Sequence, residues 1–349
     1  MTAPRRYLFV GTFVGFAGGI ERFAYAWAKR LASEGHVVEY AGSEPSRDAE
    51  AFRSAFAAVH TSIPEGEYDE VVLHKIPSLS ALRSLKRRFG GKLVFFAHDH
   101  DLYCPRHHYY TPFGRTNCHR AYSSLRCLLC SLATHPRNWA DVLFRADGAK
   151  LRLLRRGRAY VISAFMRENL VKNGFRPENV TLVPPEVPAA VPLTAFTPGL
   201  RPIRLLFCGQ LIAGKGCDLF MDVLDRLKVP YYATIAGDGK DRAQLEARAV
   251  SAMMNVVFTG WVEDPAACFR GADLTLFTSR WQEPYGLVGA ESIACGTPVI
   301  AFDVGGVREW LKPGVNGRLV REGDVEGMAR CVERYAAEGR LDDEAAGRL

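Results

Sequence analysis

Two carboxylates eight residues apart, Glu283 and Glu291, bracket Pro284, Gly286 and Leu287 in the segment Ser279-Arg-Trp-Gln-Glu-Pro-Tyr-Gly-Leu-Val-Gly-Ala-Glu-Ser. Pro and Gly at these positions suit a turn that opens a helix, with Glu291 about two turns inside it and Glu283 in the loop at its mouth. The backbone N–H groups of Gly286 and Leu287 would then point outward, where a helix N-terminus attracts an anion. Carboxylates accept hydrogen bonds from vicinal hydroxyls, as in the ribose contact of dinucleotide folds. One segment can thus hold sugar hydroxyls, phosphate and ribose together. Further upstream, Gly209-Gln210-Leu-Ile-Ala-Gly214-Lys215-Gly216 falls one residue short of a P-loop. Gly216 stands where the Mg²⁺-ligating hydroxyl belongs, which argues against P-loop ATP hydrolysis. A lysine beside a helix N-terminus still suits a diphosphate without a metal.

The amino-terminal half carries weaker candidates. The loop Gly15-Phe-Ala-Gly18-Gly19-Ile-Glu21 lacks the dinucleotide G-x-G-x-x-G spacing, yet it brings bare backbone to a helix start, which suits a phosphate. His98 sits where a strand delivers side chains into a binding site. Asp99-His100-Asp101 follows it and matches a divalent-cation D-x-D, although capping aspartates fit the pattern as well. Cys104, Cys118, Cys127 and Cys130 fall within a short loop that also holds His107, His108 and His119. A structural metal, free thiols and disulfides all remain open for this group, since only one Cys-x-x-Cys pair is present.

The apolar pattern supplies elements to position these groups. Strand-like runs occur at Tyr7–Val10, Val37–Tyr40, Val71–Leu73, Leu93–Ala97, Tyr160–Ile162 and Val180–Val183, separated by amphipathic segments such as Phe23–Ala32 and Leu79–Arg88. Pro184, Pro185, Pro188, Pro192, Pro198 and Pro202 then form a density that no helix or central strand tolerates. The alternation restarts with strands at Ile203–Phe207, Tyr231–Ala236, Val256–Phe258, Thr275–Phe277 and Val299–Ala301, and helices at Asp218–Leu227, Arg242–Val250, Leu287–Ala294 and Val325–Tyr335. Strands alternating with helices imply parallel sheets covered on both faces. The expected organisation is α/β: a Rossmann-like domain over 1–184, a proline-rich linker over 185–202 and a second Rossmann-like domain over 203–349.

With 349 residues, 48% hydrophobic and 24% charged, the chain is long enough for two cores and has none of the bias of disordered, collagen-like or coiled-coil proteins. No apolar run reaches the ~18 residues of a membrane span. The net charge of +7 is unevenly spread. Residues 1–195 hold 27 Lys and Arg against 17 Asp and Glu, and the remainder 18 against 21. The positive half includes Lys150, Arg152, Arg155, Arg156 and Arg158 interleaved with leucines, which fits either a solvated helix face or contact with an anionic membrane surface. The start imitates a secretory signal, but Gly11, Gly15, Gly18 and Gly19 break its apolar run and Glu21-Arg22 precedes the supposed cleavage site. Strand, glycine loop and helix explain the same residues. An odd count of nine scattered cysteines agrees with a reducing, cytoplasmic setting.

Taken together, E-P-[FY]-G-L-x-x-x-E with its preceding Ser279, Gly296-Thr-Pro298-Val, Gly305-Gly306-Val-Arg-Glu309, the lysine loop and the amino-terminal G-G-x-E resemble glycosyltransferase family 4. The resemblance covers nearly the whole chain and is most specific over 203–320. It implies a GT-B fold, two Rossmann-like domains facing each other across a cleft, and retaining transfer of a sugar from a nucleotide diphosphate. It further implies that Glu283 contacts donor-sugar hydroxyls, Glu291 the ribose, and Lys215 with the Gly286 and Leu287 amides the diphosphate. Gly18 and Gly19 would approach that diphosphate from the other domain, and His98 would touch the transferred sugar. No metal or other cofactor is expected. The implied partners are an NDP-sugar donor and a glycan or lipid-linked acceptor, with peripheral contact to an anionic membrane through the first domain and no nucleic acid. The sequence departs from the family where Gln210 replaces a usual Arg, where Val-Pro184-Pro185-Glu186-Val replaces a usual turn, and where a further carboxy-terminal helix crossing back onto the first domain is expected. Two rival readings are a GT-B NDP-sugar epimerase and a nucleic-acid-binding protein with a Cys/His metal site.

Overall fold

Strands buried on both faces set the architecture. Leu93–Ala97, Leu274–Phe277 and Val299–Phe302 are buried at every position, as parallel strands covered by helices must be. The computed structural model describes residues 3–111, 116–133, 147–188, 191–194 and 196–341. Parts of the cysteine-rich loop (112–115), of the proline-rich segment (189–190 and 195) and of the carboxy-terminal region (342–349) lie outside the described residues. The chain divides into two units, Met1–Glu186 and Val187–Leu349.

In the first unit, strands β1 (Arg6–Val10), β2 (Val37–Ala41), β3 (Ala58–His60), β4 (Glu70–Leu73), β5 (Leu93–Ala97), β6 (Arg158–Val161) and β7 (Val180–Leu182) form one parallel sheet in the order β3-β2-β1-β4-β5-β6-β7. Helices α1 (Gly19–Ser33), α2 (Leu79–Phe89), α3 (Ser124–Leu132), α4 (Asp147–Leu154) and α5 (Ala164–Lys172) accompany it. Two of these begin where a serine can cap them: Ser78 accepts the N–H of Ala81, and Ser163 that of Met166. Helix α1 uses another device. Glu21 folds back onto the N–H groups of Gly18 and of its own residue, which supplies one half of a capping box; Gly18 has no side chain for the other half. Burial raises the Glu21 carboxyl above its ordinary range, against those same hydrogen bonds.

The second unit has a six-stranded parallel sheet of β8 (Ile203–Cys208), β9 (Tyr231–Ala236), β10 (Val256–Gly260), β11 (Leu274–Phe277), β12 (Val299–Phe302) and β13 (Gly317–Val320), in the order β10-β9-β8-β11-β12-β13. Helices α6 (Cys217–Leu224), α7 (Arg242–Ser251), α8 (Leu287–Ala294) and α9 (Val325–Glu338) complete it. Their apolar faces join the strands in one core around Leu205, Phe220, Ile235, Leu276, Phe302 and Val332. The proline-rich stretch packs in part on this unit: the N–H of Thr194 donates to the carbonyl of Gly296, and Phe196 stacks on Tyr335.

Both sheets share one consequence of strand order. The direction of winding reverses between β1 and β4 in the first unit and between β8 and β11 in the second. Ligands of open α/β sheets bind beyond the carboxyl ends of the strands at such a reversal.

Candidate active site

The lysine loop follows β8 and the Glu283 loop follows β11, so the reversal in the second sheet brings them together. Lys215 Nζ lies 2.8 Å from Glu283 Oε1, and Ser279 Oγ donates to that same oxygen at 2.7 Å. Neither contact uses Oε2. Glu283 is only 7% exposed, and its backbone carbonyl accepts the N–H of Gly306 at 2.7 Å. Glu283 is therefore fixed through one carboxylate oxygen and through its backbone carbonyl, an arrangement that preorganises the side chain.

The lysine loop is fixed as tightly. Arg280 N–H donates to Gly214, its guanidinium reaches the carbonyl of Ala213, and it pairs in a fork with Asp218 at 2.5 and 2.6 Å. The Trp281 ring lies where a side chain on Gly214 would go, 1.7 Å from the place of its missing Cβ. Gly286 caps α8 in the left-handed region at φ 85°, and Leu287 is the first residue of that helix. Behind them Trp310 Nε1 donates to the Tyr285 carbonyl at 2.7 Å. Glu291 is half-buried on α8, close enough to the end of β8 that its charge assists burial in pushing the Cys208 thiol up to about 12. Gln210 is exposed in the loop just past β8. Lys215, Glu283, Gly286, Leu287, Glu291 and Gln210 thus share one end of one sheet. The spacing gave no sign that Ser279 and Arg280 hold this loop pair, although both lie inside the motif.

In the first unit, Gly18 caps α1 and Gly19 begins it, both exposed. His98 follows β5 and is buried among aromatic rings, stacked on Phe96 at 4.1 Å and edge-on to Phe23. Its Nε2 shares a hydrogen bond with His74 Nδ1 at 2.8 Å, so Nδ1 is the ring nitrogen that His74 does not engage. His74 follows β4, the neighbour of β5, and sequence reasoning missed it because strand order is not written in spacing. Next to each histidine stands the other half of a second pairing. Lys75 Nζ meets Asp101 Oδ2 at 2.5 Å and Asp99 Oδ2 at 3.3 Å. The D-x-D is therefore engaged by the protein's own cation. Burial pushes the Asp101 carboxyl up, but contacts from His107 and Lys75 outweigh it and hold it well below the carboxylate range.

No disulfide joins any of the four clustered cysteines, against the disulfide alternative. Among the described residues no group of three or more His, Cys, Asp or Glu is arranged to hold a metal. Cys104 instead accepts the N–H of Tyr109, and burial raises its thiol to about 11. Cys127 accepts the N–H of Ser123.

The histidine pair carries a pH dependence. Burial lowers His74 to about 3, and burial, His74 and Lys75 together lower His98 well below its usual value, so both rings are neutral in the fold. Unfolded histidines titrate near 6.5. Below that pH the unfolded chain binds protons that the folded chain refuses, so stability falls with pH, by up to about 1.4 kcal/mol per unit for each ring. The loss is expected to run from pH 6.5 downward, ending for His74 near pH 3. Thermal unfolding between pH 7 and 5 should show it, with a shallower slope in His74→Gln; equal slopes would refute it.

The family model described as glycosyl transferases group 1 matches residues 202–338. The sequence is 32% identical over 154 residues to the lipopolysaccharide core biosynthesis glycosyltransferase LpsE of Rhizobium meliloti, covering 44% of each chain. It is 31% identical over 196 residues to the D-inositol 3-phosphate glycosyltransferase of Geodermatophilus obscurus, covering 48% of this chain and 42% of that one. The chain spans less than half the length of these curated relatives. Among solved structures, Anabaena Alr3699/HepE in complex with UDP and glucose superposes with a TM-score of 0.69 at 18% identity, over 96% of this chain and 90% of that one. WaaG, a glycosyltransferase involved in lipopolysaccharide biosynthesis, gives 0.66 at 18%, over 95% and 90%. Two Rossmann-like units of this topology define the GT-B class of fold. The match to that family model lies within the second unit.

Proposed function

We propose that the protein transfers a sugar, with retention and without a metal, from a nucleotide-diphosphate donor to a glycan or lipid-linked acceptor. The observation that carries this reading is the convergence of Lys215 and Ser279 on one oxygen of a buried Glu283, beside the start of α8. Glu283 Oε2 accepts hydroxyls of the donor sugar. Lys215 exchanges its contact with Glu283 for the diphosphate, whose growing charge on departure it stabilises together with the Gly286 and Leu287 amides. Glu291 accepts from the ribose, Gln210 lines the nucleotide side, Gly18 and Gly19 serve the phosphates, and His98 contacts the transferred sugar. Charge neutralisation by a lysine and helix amides supports a reaction without a cation, as does the engagement of Asp99 and Asp101 by Lys75. The same reading sets the protein in the cytoplasm, working at an anionic membrane face; no described helix is long and apolar enough to cross a membrane.

Thermal-shift measurements against UDP, GDP and ADP beside an oligonucleotide test the donor class, and a hydrolysis panel of NDP-sugars identifies the sugar. Stabilisation by a nucleoside diphosphate is the expected result; stabilisation by the oligonucleotide alone would overturn the reading. In Glu291→Ala, nucleotide affinity should fall ~10-fold, as expected for losing a hydrogen bond to a charged group, with turnover at saturating donor little changed. Unaltered affinity in calorimetry would remove Glu291 from the ribose.

A further inference from the structure

The first unit holds a cavity of about 310 Å³ that shares no residue with the candidate active site. Helix α3 contributes Ser124, the chain just before it Ala121 and Tyr122, helix α4 Gly148, Leu151 and Arg152, with Arg155 just beyond, and the end of α5 Lys172, Asn173 and Gly174. Among the described residues its wall therefore carries three cations and no carboxylate.

Topology separates this cavity from the chemistry. Arg155 precedes the amino end of β6, and Gly174 precedes that of β7. His98 follows the carboxyl end of β5, which runs parallel to β6. The cavity thus lies toward the amino ends of the strands, and the candidate site groups lie past the carboxyl ends.

The walls are built rather than incidental. The N–H of Tyr122 donates to the side chain of Asn173, itself 5% exposed, at 2.8 Å. The Tyr122 ring packs against Gly148, where a Cβ would meet it at 3.1 Å. Lys172 Nζ donates to the carbonyl of His119 at 3.2 Å, and the Arg155 side chain lies along Gly174. Two helix ends meet here, and a cation at each would answer the helix dipoles for less than ~1 kcal/mol apiece. That need accounts for Arg155 and Lys172. It does not account for Arg152, exposed one turn earlier, and neither arginine pairs with a carboxylate among the described residues.

We propose that this cavity binds a phosphate group carried on a small organic substituent, at a site separate from the donor's. Arginine forks match phosphate oxygens in two-point contacts, and Lys172 adds a point charge. About 310 Å³ is at the small end of ligand pockets, roomier than a bare phosphate needs and too small for a sugar nucleotide. The group arrives either on a soluble phosphomonoester or on a lipid headgroup, and the same residues would grip both. No residue is common to this cavity and the Lys215–Glu283 pair, so either assignment can fail alone.

The test uses the full chain with two probes: sn-glycerol 3-phosphate in calorimetry, and vesicles of phosphatidylglycerol in phosphatidylcholine, against pure phosphatidylcholine, in cosedimentation. Binding to at least one probe is expected, weakened at least ~10-fold in Arg152→Ala/Arg155→Ala and by added salt, with the thermal shift given by UDP unchanged. Binding of the soluble ester assigns a soluble source, and binding of the anionic vesicles alone assigns a lipid headgroup. Should the double variant unfold, Arg152→Gln alters only an exposed side chain and should still weaken binding several-fold. Failure of both probes to bind the native protein, or equal binding by Arg152→Gln and native protein, would overturn the proposal.

Discussion

Lys215→Ala and Glu283→Gln are each expected to lower sugar transfer at least ~10²-fold, the loss that follows removal of one preorganised contact to developing charge. Glu283→Gln keeps the shape of the side chain and an oxygen for Ser279, so its effect isolates the negative charge. Lys215→Ala does more. It leaves a carboxylate that is 7% exposed without its cation, a burial that costs stability as well as turnover. Lys215→Arg is therefore the control, since it restores the charge with a different geometry and should recover stability before it recovers rate. Steady-state kinetics on the nucleotide sugar chosen by the hydrolysis panel, with a melting curve for each variant, separates the two effects. A kcat near that of the native protein in either Lys215→Ala or Glu283→Gln would refute the donor placement.

The second large effect comes from a residue with no side chain. Gly216 adopts φ 72° between Lys215 and the start of α6, and a Cβ there would stand 1.9 Å from the carbonyl oxygen of Thr278. Thr278 Oγ1 in turn donates to the carbonyl of Gly216 at 2.8 Å, so a side chain of one loop is tied to the backbone of the other. Left-handed geometry alone costs an L-residue roughly 1–2 kcal/mol. The overlap adds a forced separation of the loops that carry Lys215 and Glu283. Gly216→Ala is expected to destabilise the second unit by about 3 kcal/mol, a shift of several degrees in its melting temperature, and to abolish detectable stabilisation by nucleoside diphosphates. A melting curve and nucleotide response like those of the native protein would mean that the loops are not held as described.

Both sheets were legible from sequence because central parallel strands are continuous apolar runs. Leu93-Val-Phe-Phe-Ala can hardly be anything else once its neighbours alternate with helices. Ala58–His60 and Gly317–Val320 escaped notice for the complementary reason. Each is a short edge strand with a polar residue, His60 or Arg318, and so lacks the run. In the site, Glu283 and Lys215 were legible because a turn, a helix start and a charged residue occur together. Their meeting was not, since it depends on β8 and β11 being neighbours across the 65 residues of chain between Cys208 and Leu274. The same blindness hid His74 and Lys75. Each lies just past β4, opposite His98, Asp99 and Asp101 just past β5, and only the parallel ladder makes them partners. The cysteine spacing could not choose among a metal, free thiols and disulfides, because the backbone N–H groups that Cys104 and Cys127 accept are not written in it.

The packing of Trp281 against Gly214 bears on redesign. The floor of the Lys215 loop is main chain pressed against an indole, so any side chain introduced at position 214 would have to displace that ring before it could reach a ligand. Gln210, four residues earlier, is exposed and meets no such wall. A library aimed at new donors therefore gains nothing by diversifying the floor. On the proposed donor placement it should spend its variation at the rim, at position 210 first, where a new side chain leaves the frame of the loop intact.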